Sequence, residues 1–253
     1  MPEPFLYTLP FREIIERHLG RRQRIDKFLE QAGGALHVAD WNDDFWGDTV
    51  NGTYRTMGTG TPTRAIDTDA KNGEMRLGTS AVSDDSSGVS IGLHCAGDQY
   101  SVAVARIKLP TITSVKVEFG FTDAHGDEGA VNNVATPTFT ADDAVVWVID
   151  TNTDGNWHGR AVQATTAATA YDPAFAPVAD TYEYFVVVLE DTRAKFLRAN
   201  VDGKITHESA WTTAAVTAAT ALTPWLYVRT RAGAARTLDV DRLKVYQART
   251  TAA

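Results

Sequence analysis

Oxygen-bearing side chains alternate along Asp150-Thr-Asn152-Thr-Asp154-Gly155-Asn156-Trp157-His158. That spacing matches the first half of a calcium loop, in which alternate oxygen ligands precede a glycine that permits a sharp turn. Asp150, Asn152 and Asp154 would be the ligands. The position that should supply a bidentate glutamate is Ala161. The same residues therefore also read as a polar hairpin between strands ending at Ile149 and starting near His158, because Asx residues and glycine favour turns. A second candidate chemistry is glycoside hydrolysis, which needs two carboxylates roughly 5–9 Å apart across one sugar. Asp239 and Asp241 have the i, i+2 spacing of one strand face, but they alternate with Leu238 and Val240, which points them to solvent. Asp123-Ala-His125-Gly-Asp127-Glu128 is acidic and turn-like. Ser86-Ser87 lacks the glycines of a nucleophile elbow, and Gly58-Thr-Gly60 lacks the lysine and helix of a phosphate loop. Six scattered histidines and one cysteine build no zinc site. Five of the six tryptophans, Trp41, Trp46, Trp157, Trp211 and Trp225, fall near inferred strand ends or loops. They read as a sugar-stacking platform, with Trp157 and Trp211 as the glycan contacts, or as plugs for the ends of a two-sheet body.

The elements that must position these residues change character along the chain. Pro2, Pro4 and Pro10 keep the first ten residues extended, with Phe5, Leu6 and Tyr7 as an apolar strip. Phe11, Ile14, Ile15, Leu19, Ile25, Phe28, Leu29 and Ala32 recur at three- and four-residue steps, which predicts a helix over 11–32. Gly20 interrupts it and Gly33-Gly34 end it. Arg17, Arg21, Arg22, Arg24 and Lys27 make this arm basic. The division expected is an arm over 1–36 and a β-sandwich over 37–253. Strands are predicted at 73–79, 88–93, 100–108, 114–122, 144–149, 158–164, 181–189, 195–201, 224–230 and 236–246. Val102–Ile107, Val115–Phe121 and Leu238–Val245 alternate, the last with a slip at Asp241-Arg242 that reads as a β-bulge. Phe185–Leu189 is apolar on both faces, as a strand covered on both sides would be. Asp202-Gly203 reads as a tight hairpin, and 161–179 and 212–223 read as surface loops. About ten strands with no helix between them favour two packed antiparallel sheets.

The bulk numbers bound the function classes. The chain has 253 residues, 43% hydrophobic and 22% charged, with a formal net charge of -8. No apolar run approaches the ~20 residues needed to span a bilayer. The start, MPEPFLYTLPFRE, has no basic region followed by an apolar stretch, so synthesis and folding in a cytoplasm are expected. A net acidic chain is a poor nonspecific nucleic-acid binder, so neither a nucleic acid nor a membrane is an expected partner. Cys95 is the only cysteine. It excludes an intrachain disulfide and is expected to be buried.

An ordered series of short segments then resembles a known family. It runs from Trp41-Asn-Asp-Asp-Phe45 through Asn72-Gly73-Glu-Met-Arg-Leu77 and Val117-Glu-Phe-Gly-Phe121-Thr-Asp123. Val148-Ile-Asp150-Thr, Trp157-His158, Asn200-Val-Asp202-Gly and Leu238–Val245 follow. The series is similar to the concanavalin A-like jelly-roll proteins of tailed bacteriophages, over residues ~41–248. The resemblance implies an all-β, two-sheet antiparallel jelly roll and a non-enzymatic virion role as a capsid decoration or tail-associated subunit. It implies assembly in the host cytoplasm, a homo-oligomer, and partners such as the major capsid protein. The arm residues Phe5, Leu6, Tyr7, Phe11, Ile14, Ile15, Arg21, Arg22, Arg24 and Phe28 would then dock the module. Lectins and glucanases share the fold, so a carbohydrate-binding module for a host-surface glycan is the alternative and a glycoside hydrolase the third reading. The strand motif of glucanase acids is missing, and no cofactor is expected apart from the calcium considered above.

Overall fold

The computed structural model describes residues 36–47, 49–67 and 73–250. The predicted helix, its apolar and basic residues, and Asn72 lie outside them. Seventeen strands occur among the described residues: β1 (Leu36–Asp43), β2 (Arg55–Met57), β3 (Thr63–Ile66), β4 (Met75–Gly78), β5 (Ser86–Ser90), β6 (Ser101–Lys108), β7 (Val115–Thr122), β8 (Val131–Asn133) and β9 (Thr138–Phe139). They continue as β10 (Ala144–Asp150), β11 (Asp154–Gln163), β12 (Thr166–Ala167), β13 (Glu183–Glu190), β14 (Arg193–Ala199), β15 (Ile205–Glu208), β16 (Thr223–Thr230) and β17 (Thr237–Thr250).

Two antiparallel sheets stack face to face. The first has the order β15-β14-β13-β6-β17-β4-β3, with β1 beside the second half of β17. The second has the order β12-β11-β10-β7-β16-β5-β2, and β8–β9 form a separate hairpin. Neighbours in each sheet are mostly far apart in sequence, as in a jelly roll. The two packed antiparallel sheets expected from the strand pattern, and the jelly roll that the resemblance implied, are the fold found.

Period-two alternation explains the interior. Ala103, Ala105 and Ile107 of β6 and Val117, Phe119 and Phe121 of β7 point between the sheets. At the centre, Trp147 meets the edges of Tyr171, Phe175, Phe185 and Phe196 at 5.5–5.9 Å, arrangements that the ring quadrupole favours. The expected bulge is present: the β17–β6 register shifts between Val240 and Arg242. Strand β13 is covered on both faces, and Asp202-Gly203 joins β14 to β15 with Gly203 at φ 77°. Cys95 is buried.

Three expectations need correction. The stretches 161–179 and 212–223 are not surface loops throughout: Phe175, Ala215, Val216 and Leu222 are core residues. Asp239 does not face solvent. Its side chain is fully buried in an ion-pair network with Arg76 and Lys108. Segment 123–143 is more than an acidic turn. Its Ala130, Val131, Val134 and Ala141 pack on Val146, Val148, Trp225 and Tyr227, so it covers the outward face of the second sheet.

Candidate functional site

The outward face of the second sheet carries a cluster of six chemistry-bearing side chains. Lys116 and Glu118 of β7, Trp225 and Tyr227 of β16, and His158 and Arg160 of β11 all alternate with core residues and so point away from the sandwich. The cover holds most of them. The Glu118 carboxylate accepts the Ala130 N–H at 2.7 Å, the Val131 N–H at 3.1 Å and the Trp225 indole N–H at 3.0 Å. Lys116 Nζ lies 2.9 Å from the same carboxylate and also donates to the Val131 carbonyl. Arg160 donates to the Val134 carbonyl at 2.8 and 3.1 Å. The Tyr227 hydroxyl donates to the Asp127 carbonyl at 2.9 Å. Burial, with the Glu118 charge second, pushes the Tyr227 phenol far above its ordinary value. Glu118 thus has four donors and no route to a bound molecule, which leaves it no capacity to act as acid or nucleophile.

The predicted calcium residues build the polar hairpin. Asp150 ends β10 and pairs with Asp154 at the start of β11. The buried Asp150 carboxylate lies 3.2 Å from Arg231 Nε and accepts the Asn152 N–H, while the Asn152 amide donates to the Arg231 carbonyl. Asp154 accepts the Asn156 N–H at 2.9 Å, and its other oxygen lies 3.4 Å from His158 Nε2. Asp150 and Asn152 are both engaged with Arg231, and Asp154 turns instead to Asn156 and His158. Among the described residues no group of three His, Cys, Asp or Glu side chains is placed to hold a metal.

Beside this hairpin, His158 Nδ1 and Arg160 Nη1 approach Asp172 Oδ1 at 2.5 and 2.6 Å. Burial raises the Asp172 carboxyl, but its bonds to His158 and Arg160 outweigh that and hold it below the ordinary value.

Of the two expected glycan tryptophans, Trp157 is a correction. It is 1% exposed and lies 4.4 Å from the Phe185 ring inside the core, so it offers no face to a sugar. Trp225 is buried likewise. Trp211 is half-buried, with the Arg193 guanidinium 4.7 Å from its ring centre. The carboxylate pair Asp239 and Asp241 is divided by the bulge: Asp239 faces Arg76 and Lys108, and Asp241 bonds Arg106. The acids of 123–128 do not converge either. Asp127 accepts the Gly58 N–H at 2.7 Å, and Asp123 accepts the Asp143 N–H at 3.1 Å.

Arg193 leads from Trp211 to an open cleft of about 450 Å³ lined by Asp98, Tyr100, Glu190, Asp191 and Arg193. It lies where a 3-10 turn (Gly97–Gln99) meets the β13–β14 turn. The Gly97 carbonyl accepts the Asp191 N–H at 2.8 Å and the Tyr100 N–H at 3.2 Å. A Cβ on Gly97 would fall 2.0 Å from the Asp191 carbonyl, so only glycine allows this approach. Tyr100 has φ 49° and ψ 67°, and Asp191 has φ 57°. The left-handed conformation is uncommon for a bulky residue. Tyr100 is nevertheless 47% exposed. Arg193 Nη2 lies 2.7 Å from Glu190 Oε1. No sequence signal marks this cleft, because Asp98, Tyr100 and Arg193 are separated by up to ninety-five positions and share no motif.

No protein-family model matches the sequence, and no curated protein does. Solved structures do. A protein of unknown function from Shewanella oneidensis MR-1 is 15% identical, with a TM-score of 0.64 over 86% of this chain and 89% of that one. Peanut lectin is 10% identical, with a TM-score of 0.59 over 85% of this chain and 100% of its own. The fold is the concanavalin A-like jelly roll. The endo-beta-1,3-glucanase from Pyrococcus furiosus is 14% identical, with a TM-score of 0.56 over 86% and 97% of the two chains. At such identities the likeness is one of fold.

Proposed function

We propose that this concanavalin A-like sandwich is a non-catalytic carbohydrate-binding module that takes its ligand in the Tyr100–Arg193 cleft. The observation that carries the reading is the half-exposed Tyr100 ring, set in a left-handed backbone beside three carboxylates and a guanidinium. Aromatic faces stack on the apolar faces of sugar rings, and paired carboxylate and guanidinium groups satisfy hydroxyls in fixed directions. Neighbours of the same fold include a lectin and a glucanase, which agrees with a saccharide ligand. Glu118, saturated under its cover, argues against hydrolysis on the second sheet.

A glycan array probed with the wild-type chain tests this. Binding should fall about tenfold or more in Tyr100→Ala and in Arg193→Ala. Trp157→Phe, altered inside the core, should bind as wild type. An array without a hit, or binding unchanged in both cleft variants, overturns the reading.

The virion role is a second proposal. It is supported by the ordered motif series and by the fold that the series implied. A capsid or tail protein as partner, a homo-oligomeric state and a virion location belong to it. A pull-down of virion proteins with the full chain, compared with a chain lacking residues 1–34, tests it. Equal capture of a capsid protein by both would overturn docking through the arm.

A further inference from the structure

The Tyr100–Arg193 cleft carries an uneven set of charges. Its lining holds three carboxylates, Asp98, Glu190 and Asp191, against one cation, Arg193. That cation is engaged twice. Arg193 Nη2 lies 2.7 Å from Glu190 Oε1, and the guanidinium sits over the Trp211 ring, 4.7 Å from its centre. Lys195, on the same strand, lies 5.6 Å from that ring centre and gives its ammonium to Glu208 at 2.5 Å. Glu190 therefore has its counter-charge, and Asp98 and Asp191 do not. Among the described residues neither of these two side chains has a hydrogen-bond or ion-pair partner, and both are exposed.

Backbone geometry puts the two unpaired carboxylates beside an aromatic ring. Asp98 lies in the 3-10 turn and Tyr100 caps it two residues on, while Asp191 hangs its amide on the Gly97 carbonyl of the same turn. All three border one cleft, and Tyr100 is 47% exposed there. An aromatic face attracts a cation that comes within about 6 Å of it. The same face stacks on the apolar side of a sugar ring. A neutral sugar would meet the ring and leave two negative charges uncompensated. A uronate or another acidic sugar would add a third charge of the same sign. A sugar that bears an ammonium uses the ring and both carboxylates together.

We propose that the ligand of this cleft is a hexosamine with a free amine, as in the glucosamine units of a deacetylated polymer. Its ring would lie on Tyr100 and its ammonium would be taken by Asp98 and Asp191. The proposal rests on the reading of the cleft as a saccharide site and adds the charge of the sugar. The volume of about 450 Å³ is at the small end of the ~300–1,000 Å³ usual for ligand sites, which suits a short stretch of such a polymer. The net charge of -8 on the chain would also draw a polycation towards it.

Titration calorimetry of the full chain with two tetrasaccharides tests this, one of glucosamine and one of N-acetylglucosamine, at about pH 5.5, below the ordinary range of an amine. The glucosamine tetramer should bind about tenfold more tightly. Its advantage should shrink at about 0.5 M salt, where exposed charges are screened. Asp98→Asn and Asp191→Asn should each cost the glucosamine tetramer about threefold and leave the acetylated one unchanged; neither carboxylate has a partner in the fold, so both variants should fold as wild type. Tyr100→Ala should weaken both ligands. Equal binding of the two tetramers, lost in Tyr100→Ala, would overturn the amine and keep the saccharide cleft. Binding of neither would overturn both. A preference for glucosamine that survives in the Asp98→Asn, Asp191→Asn double variant would place the amine elsewhere and overturn the proposal. Spermidine binding as tightly as the glucosamine tetramer would reveal a site for amines alone and would also overturn it.

Discussion

Glu118→Gln gives the sharpest test of how the second sheet is closed. The substitution preserves shape and removes one charge at a site where the side chain is fully buried. In the native protein the carboxylate faces donors alone: two backbone N–H groups, an indole N–H and the Lys116 ammonium. A glutamine can accept from the Ala130 or Val131 N–H with its carbonyl. Its NH2 must then face Trp225 Nε1 or Lys116 Nζ, donor against donor. The Lys116 side chain, 2% exposed, loses its counter-charge and keeps only the Val131 carbonyl. Removing one partner of a buried pair costs about 3–5 kcal/mol. At roughly 2–4 °C of Tm per kcal/mol for a domain of this size, the fall should be about 6–20 °C. Urea denaturation followed by tryptophan fluorescence measures the free energy. Hydrogen exchange at the Ala130 and Val131 amides should quicken about a hundredfold or more if the cover is released locally. Lys116→Met added to Glu118→Gln should recover about 1 kcal/mol or more, because the orphaned ammonium goes with it. A cost below about 1 kcal/mol for the single variant would refute the reasoning, since it would mean that water reaches the pair.

Other consequences follow from single groups. Burial pushes the Cys95 thiol up to about 12, with the Ser101 hydrogen bond opposing it only in part; a thiol reagent at pH 8 should therefore leave the native protein unmodified and react once denaturant unfolds it. The Glu74 carboxyl is raised by burial first and by the Asp239 charge second, while Lys108 and Arg76 pull it down. A carboxyl raised in the fold favours the folded state when protonated. The wild type should therefore gain stability over Glu74→Gln as pH falls from Glu74's raised value towards the unfolded ~4.3, and level off below it, by urea denaturation across pH 4–8. Gly97→Ala should cost about 1–3 kcal/mol and weaken glycan binding together, because the added Cβ must push the Asp191 carbonyl away; an unchanged Tm with unchanged binding would remove Gly97 from the account of the cleft.

Long strands announced themselves because burial on one face imposes a period of two. Strands β6, β7, β13 and β17 each bury four or more side chains, and even the bulge of β17 was visible where Asp241-Arg242 breaks the alternation. Strands β2, β3, β9, β12 and β15 were not foreseen. Two to four residues with exposed or half-exposed side chains have no period to read, and their pairing is decided by distant partners. Strand β1 was hidden by the turn-like Asn42-Asp43-Asp44, although β17 supplies it with an edge of eight residues. The site was less legible than the fold. Trp157 and Trp211 look alike in the sequence. One is core and the other half-buried because β11 turns Trp157 inward while Trp211 lies beyond β15, and that distinction is a matter of register.

The cover over the second sheet also bears on why the candidate cleft lies at a sheet end rather than on a sheet face. An open concave sheet can hold an extended ligand only if its outward side chains are free to meet it. Here Ala144, Val146, Val148 and Val162 on that face are apolar, and Ala130, Val131 and Val134 complete a small second core over them. That core costs the protein a groove and gives it a clamp in Glu118, Lys116 and Arg160. What remains for recognition is the rim, where turns, not strands, set the geometry. Tyr100 and Asp191 both adopt left-handed backbone there, and both hang their amides on the single carbonyl of Gly97. Their relative position is thus fixed by one peptide group, so the cleft is rigid without belonging to either sheet. A ligand meeting it would lose little to reordering of the protein, which would favour binding at a shallow, open site of a few polar groups and one aromatic ring.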